Sequence, residues 1–153
     1  MLDDIDRALL NALQRDAGLS VDALSDLVHL SRNACWRRIK RLEEEGIIRG
    51  RVALLDAAKI NLGLTAFIAV RTAQHEPGWL DKFSAAVRDL PEITGVYRMT
   101  GDIDYLLQAV VPDVAGYDAL YKRLIAKIAL SDVSSSFVME KIKETTALPL
   151  TQA

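Results

Sequence analysis

Two short amphipathic helical patterns near the start of the chain are separated by only two or three residues. The first begins after Ser20, its expected N-cap, and carries Leu24, Leu27 and Val28 as its apolar stripe. Ser31 is the expected N-cap of the second pattern. Helices joined this closely must cross at a steep angle, so the spacing predicts a helix-turn-helix.

A further helical pattern precedes this pair, and an apolar segment follows it. Ile5, Leu9 and Leu13 recur at helical spacing after Asp3, which is the expected N-cap. The segment "IIRGRVALL", residues 47–55, predicts a small hairpin. Three helices and a hairpin make a winged helix-turn-helix. The predicted boundaries are 1–55 for this domain, 56–62 for a linker and 63–153 for a second domain.

Positive charge is concentrated in residues 31–51, which hold seven Lys or Arg against three Glu in a chain of formal net charge -2. On a helical wheel Cys35, Ile39 and Leu42 form the buried stripe, and most of the cations face the other side. A basic helix face is usually just a solvated surface. On the third helix of such a unit it favours binding to duplex DNA.

The N-terminal end of this helix would enter the major groove, while the cations around it would meet the backbone. The residues predicted to reach base edges are Arg32, Asn33 and Arg37. The residues predicted to contact phosphates are Ser31, Lys40, Arg41, Arg49 and Arg51. Trp36 has two interpretations: it fills the core while half exposed, or it packs on the sugar-phosphate backbone.

Beyond the linker, strand and helix patterns alternate in the order β-α-β-β-α-β, which predicts a ferredoxin-like domain and an α+β fold class. The first strand points Leu64, Ala66, Ile68 and Val70 one way, and "VSSSFVMEKIK" is the last strand. The predicted helix stripes are Leu80, Phe83, Val87 and Leu90, then Tyr117, Leu120, Leu124 and Ile128.

The predicted strands are apolar on both faces, although two helices can cover only one face of the sheet. Phe67 opposes Ile68, and Leu106 opposes Leu107. An uncovered face of this kind would be a large exposed apolar patch. We therefore expect a homodimer, or a larger assembly, that packs sheet against sheet.

No motif in the chain predicts a reaction, a metal site or a cofactor. The single cysteine, Cys35, lies on a buried stripe, and neither His29 nor His75 has a metal-ligand partner at usable spacing. The longest uncharged run is too short for a membrane helix, and the acidic N-terminus is unlike a signal peptide. The simplest expectation is a cytoplasmic protein.

The segment "TGDIDYLL" carries the one grouping that suggests a ligand. Gly101, Asp102, Asp104 and Tyr105 fall in one tight hairpin, and Ser134, Ser135 and Ser136 begin another strand. Ordinary turn chemistry explains such residues as well. Carboxylates, turn amides and hydroxyls are nonetheless the groups that a zwitterion needs.

The chain resembles the Lrp/AsnC family of transcription regulators over essentially its whole length. The matching segments are "LDDIDRALLNALQRDAGLS", "SRNACWRRIKRLEEEGII", "TGDIDYLL" and "FVMEKIK". The resemblance implies homodimers assembling to tetramers, octamers or disks, and a small effector, usually an amino acid. It implies pocket roles for Gly101, Asp102, Asp104 and Tyr105, and adds Arg98 and Ser134 to Ser136.

Two alternatives stay open at this stage. Some proteins resembling this family are haem-pathway decarboxylases, which would need histidines or other ligands in the second domain. Another alternative is an amino-acid-binding module without DNA binding, although the basic stripe from Asn33 to Arg41 disfavours it.

Overall fold

The structure is a computed structural model that describes residues 1–72 and 77–151. It divides into two compact units, one formed by residues 1–54 with the tail residues 143–151, the other by residues 55–142. The tail was expected in the second domain, but it packs with the first unit. None of the helices in the described ranges has the length and apolar composition that a bilayer crossing requires.

The first unit consists of α1 (Asp4–Arg15), α2 (Val21–Val28) and α3 (Arg32–Glu44). All three predicted N-caps are confirmed: the side chains of Asp3, Ser20 and Ser31 each accept a hydrogen bond from the backbone N–H three residues on. The helices pack around a core whose buried members include Leu9, Leu24, Cys35 and Ile39. Burial raises the pKa of the Cys35 thiol, as expected of a core cysteine.

The hairpin predicted for residues 47–55 is not formed, since none of these residues belongs to a strand. Gly46, at φ 72°, turns the chain away from α3, and the Ile48 N–H donates to the Leu42 carbonyl at 3.0 Å. The two halves of the segment are only a few residues long, and isolated two-stranded ladders of that size are marginal in water. The segment runs on from α3 without strand pairing.

The second unit is a four-stranded antiparallel sheet with two helices, in the predicted ferredoxin-like order. Its elements are β1 (Leu64–Arg71), α4 (Pro77–Arg88), β2 (Ile93–Arg98), β3 (Tyr105–Val111), α5 (Val114–Lys127) and β4 (Asp132–Phe137). The strand order is β2-β3-β1-β4. The last strand stops at Phe137, whereas the sequence predicted that it continues to Lys143.

The core of the second unit lies between the sheet and its helices. Ile68, Val70 and Leu107 are fully buried, and so are Leu120 and Leu124 of α5. On α4 the predicted stripe is wrong at one position, because Leu80 is exposed while the neighbouring Trp79 is buried. The Trp79 ring stacks on Phe83, with ring centroids 5.0 Å apart, so Trp79 takes the place expected for Leu80 while the rest of the stripe is as predicted.

The opposite face of the sheet carries a row of apolar side chains without helices over it. Ala69 pairs with Leu106, and Leu106 pairs with Tyr97, so these residues share one face. In the single chain Tyr97 is 51% exposed and Phe67 is 36% exposed. The expected alternation of Phe67 against Ile68 is therefore confirmed, and it leaves an apolar open face on this unit.

Candidate nucleic-acid interface and effector turn

The N-terminal end of α3 presents polar and basic side chains to solvent. Arg32, Asn33 and Arg37 are exposed, whereas the Ser31 hydroxyl accepts the Ala34 N–H at 3.3 Å and so acts as the N-cap. The helix buries its other side against α1 and α2. The exposed side is therefore fixed in orientation by the core, as a recognition helix requires.

The seven cations of residues 31–51 differ in what they contact. Five of them make ion pairs within the unit: Arg32 with Asp22, Arg38 with Asp3 and Asp6, Lys40 with Glu43, Arg41 with Asp6 and Glu45, and Arg51 with Glu43. Arg37 and Arg49 make no ion pair with any residue that the structure describes. Arg41 was expected to contact phosphate, but its guanidinium is turned towards α1.

The α1 end of these pairs is a compact carboxylate cluster. Asp3 and Asp6 form a capping box: the Asp6 N–H donates to Asp3 Oδ1 at 2.8 Å, and the Asp3 N–H donates to Asp6 Oδ2 at 3.3 Å. The hydrogen bond from the Asp6 N–H, followed by that from Arg38, lowers the pKa of Asp3. The same pairing with Asp3 and Asp6 raises the pKa of Arg38. No sequence motif predicted that Arg38 would join α3 to α1.

Trp36 is 52% exposed and lies outside the buried cluster of the first unit. A ring exposed to this extent is accessible to the sugar-phosphate backbone, as the second of its two interpretations requires.

The turn between β2 and β3 is closed by Asp104, one of the predicted effector residues. Its N–H donates to the Val70 carbonyl at 3.0 Å and its carbonyl accepts the Met99 N–H at 2.8 Å. Its carboxylate accepts the Thr72 N–H at 2.7 Å. Gly101 holds φ at 101°, a conformation that favours glycine. The predicted residues therefore build the turn, whatever else they bind.

Arg71, which sequence reasoning missed, links this turn to the last strand. Its Nε donates to the Asp102 carbonyl at 2.6 Å, and its Nη1 lies 2.6 Å from Asp132 Oδ2. The two partners are far apart in sequence, so only the sheet pairing could reveal the bridge. Arg98 is exposed at the end of β2.

The packing of the second unit fixes the direction of two groups of predicted effector residues. The Tyr105 ring is buried, with centroids 4.8 Å from Phe83 and 5.6 Å from Trp79, so it packs in the core. The three serines do not share one face. Ser134 and Ser136 lie on the open face, whereas Ser135 lies on the helix-covered face, where its hydroxyl is hydrogen-bonded to that of Tyr117. Alternation along a strand separates them.

Comparison with known proteins decides the family. Residues 65–148 match the profile of the Lrp/AsnC ligand binding domain, and residues 2–49 match that of a winged helix-turn-helix DNA-binding domain. The chain belongs to the Lrp/AsnC family. This Lrp/AsnC chain is therefore a DNA-binding transcription regulator with a ligand-binding second domain, as the sequence predicted.

Relatives of this Lrp/AsnC protein match it from end to end. The DNA-binding transcriptional activator DecR of Escherichia coli K12 is 51% identical over 151 residues, covering 98% of this chain and 99% of DecR. The crystal structure of an AsnC family transcriptional regulator from Agrobacterium tumefaciens superimposes with a TM-score of 0.94 at 55% identity, covering 97% of each chain. A Neisseria meningitidis transcriptional regulator in complex with L-Met gives a TM-score of 0.94 at 39% identity, covering 99% of this chain and 98% of that one.

Proposed function

We propose that this Lrp/AsnC protein reads duplex DNA with α3 and changes its DNA binding when an amino acid occupies the region of the 101–105 turn. The protein acts by binding alone, with no covalent chemistry, and works in the cytoplasm, where its DNA target lies. The observation that carries the proposal is the exposed basic end of α3 beside a buried stripe that fixes its direction.

The DNA contacts divide by chemistry. Arg37 has no ion pair among the described residues, so its guanidinium is available for the bidentate contact that arginine makes with guanine. Arg32 and Asn33 flank it on the exposed side. Arg32 is paired with Asp22, but the pair is weak because the two side chains are 71% and 66% exposed.

Contacts with the DNA backbone come from residues around the exposed side of α3. Arg49 extends beyond α3 without an ion pair in the described ranges, and Lys40 and Arg51 are held only by the partly exposed Glu43. Surface pairs of this kind are worth about 1 kcal/mol or less, so a phosphate can replace the carboxylate. The exposed Trp36 packs on the sugar-phosphate backbone, and the N-terminal turn of α3 at Ser31 receives a phosphate.

The effector proposal rests on the polar groups at the 101–105 turn. The exposed carboxylate of Asp102 suits an ammonium group, and the exposed Arg98 suits a carboxylate. Asp104 contributes negative charge while closing the turn. Ser134 and Ser136 offer hydroxyls from the open face of β4, and Gly101 leaves room for close approach of a ligand. The L-Met complex of the Neisseria relative supports an amino acid as the ligand class.

The assembly proposal rests on the open sheet face. A row that includes Phe67, Tyr97 and Leu106 would cost free energy if left in water, and burial against a second copy removes it. A homodimer of this kind also pairs two reading heads, which suits two half-sites in the DNA. Dimers then assemble to tetramers, octamers or larger rings, and the effector binds between neighbours.

A pair of charge-neutralising variants tests the division of roles. Arg37→Ala should weaken binding to the promoter upstream of the protein's own gene, with the effector response intact. Asp104→Asn should keep the hydrogen bond from the Thr72 N–H, because the amide oxygen still accepts, while removing the charge. It should bind DNA normally without responding to the effector.

The effector itself is identified first by a thermal-shift screen of the oligomeric protein against the twenty amino acids, since a ligand that binds only the folded assembly raises its Tm. The assignment fails if Arg37→Ala abolishes the effector response and spares DNA binding. It also fails if Asp104→Asn weakens DNA binding and leaves the effector response intact.

A further inference from the structure

Two cations of α3, Arg38 and Arg41, are held by a buried carboxylate, whereas the other paired cations of residues 31–51 are held by exposed or partly exposed ones. Arg41 Nη2 lies 2.5 Å from Asp6 Oδ2, and the Asp6 side chain is only 1% exposed. The carboxylates that pair with Lys40, Arg32 and Arg51 are 32 to 66% exposed. A phosphate can replace those carboxylates in solvent, whereas moving Arg41 away would leave the buried Asp6 carboxylate with Arg38 as its one arginine partner among the described residues.

The Asp6 carboxylate accepts two hydrogen bonds besides the one from Arg41. Its Oδ1 accepts from Arg38 Nη1 at 2.9 Å, and its Oδ2 accepts from the Asp3 N–H at 3.3 Å. Arg38 is tied at the same time to Asp3 Oδ2 at 2.6 Å. The carboxylate cannot follow Arg41 outward, so the guanidinium of Arg41 is retained on α1 although 45% of its side chain is exposed.

We propose that Asp6 withholds Arg41 from the DNA backbone and thereby limits sequence-independent binding by α3. This inference rests on the proposed role of α3 as the DNA-reading helix. A cation that meets phosphates adds affinity for every sequence, because phosphates carry no sequence information. The pair with Asp6 neutralises Arg41 and so lowers the affinity that α3 has for DNA of any sequence. Arg37 has no ion pair in the described ranges, so its charge remains available for base edges.

The salt dependence of DNA binding measures the withheld cation directly. The slope of log Kobs against log salt concentration counts the phosphates that a protein neutralises, at about 0.9 per phosphate. Binding of a labelled duplex of scrambled sequence is measured by anisotropy from about 50 to 200 mM salt. Asp6→Asn should steepen the slope by about 0.9, so that its advantage over wild type is about threefold larger at the low end of the range than at the high end.

A steeper slope could come from the release of Arg41 or from the loss of any negative charge, and two further variants distinguish these two causes. Adding Arg41→Gln to Asp6→Asn should restore the wild-type slope. Asp26→Asn, which removes an exposed carboxylate of α2, should change the slope much less than Asp6→Asn does. Circular dichroism and thermal melting of each variant establish that the first unit is folded.

Each outcome decides a definite point. A wild-type slope for folded Asp6→Asn overturns the inference. If Asp6→Asn does not fold, the Arg41→Gln single variant tests the inference instead. An unchanged slope supports it, whereas a slope reduced by about 0.9 would mean that Arg41 already meets phosphate in the wild type and would overturn it. Arg37→Gln tests the underlying proposal separately. If this variant binds the promoter duplex as tightly as wild type does, the role of α3 is refuted, whatever Asp6 does.

Discussion

Replacing Tyr105 by alanine should destabilise the second unit by about 3–5 kcal/mol, the usual cost of truncating a buried aromatic residue. The ring is 9% exposed and lies 4.8 Å from Phe83 and 5.6 Å from Trp79 between ring centroids. Burying about 150–250 Å² of aromatic surface at about 25 cal/mol per Å² is worth about 4–6 kcal/mol as an upper bound. The alanine keeps its Cβ and the surrounding side chains relax partly into the space, so the expected loss stays at about 3–5 kcal/mol.

Tyr105→Phe is the matched control, because it keeps the ring and removes only the hydroxyl. If the ring acts by packing, this variant should stay within about 1.5 kcal/mol of wild type and respond normally to the effector. Urea unfolding at one fixed protomer concentration measures both variants, since the stability of an assembling protein depends on concentration. A loss below about 1 kcal/mol for Tyr105→Ala would refute the packing role. Loss of the effector response in a stable Tyr105→Phe would show that the hydroxyl contacts the ligand.

Three further predictions concern the capping box, the tail and the turn. The lowered pKa of Asp3 adds stability that is present above the ordinary carboxyl pKa and is lost as pH falls through the folded pKa. Asp3→Asn should therefore weaken the pH dependence of the urea unfolding midpoint below the ordinary carboxyl pKa. Gln14 holds the tail by two hydrogen bonds, accepting from the Leu148 N–H at 2.6 Å and donating to its carbonyl, so Gln14→Ala should speed hydrogen exchange at the Leu148 amide. Gly101→Ala should cost about 1–2 kcal/mol in thermal unfolding from backbone strain alone, since nothing lies within 4 Å of the added Cβ.

Local features of the first unit could be read from the sequence because their causes are local. Asp3, Ser20 and Ser31 sit where a side-chain oxygen can reach an unpaired N–H three residues on, and all three are confirmed caps. The prediction of a hairpin in residues 47–55 was wrong, because hairpin formation depends on packing that a short apolar run does not reveal. The ion pairs of Arg38 and Arg41 with Asp6 span more than thirty residues and required the helix packing itself.

In the second unit the element order was predictable from alternating patterns, but the direction of particular side chains was not. Leu80 fits a helical stripe as well as Trp79 does, and only the stacking on Phe83 decides which is buried. The serines of β4 are consecutive, so one of them necessarily faces away from the other two. The Arg71 bridge to Asp132 depends on strand register, which the sequence did not specify.

The measurement that tests the central claim most directly is the affinity of the Arg37→Ala variant for a duplex from the promoter upstream of its own gene. The matched control is Arg88→Ala, which removes an exposed cation from α4 of the second unit. If α3 reads the DNA, Arg37→Ala should bind about 5- to 150-fold more weakly, corresponding to about 1–3 kcal/mol, and Arg88→Ala should bind like wild type. Equal affinities for Arg37→Ala and wild type, with both proteins folded and assembled, would contradict it.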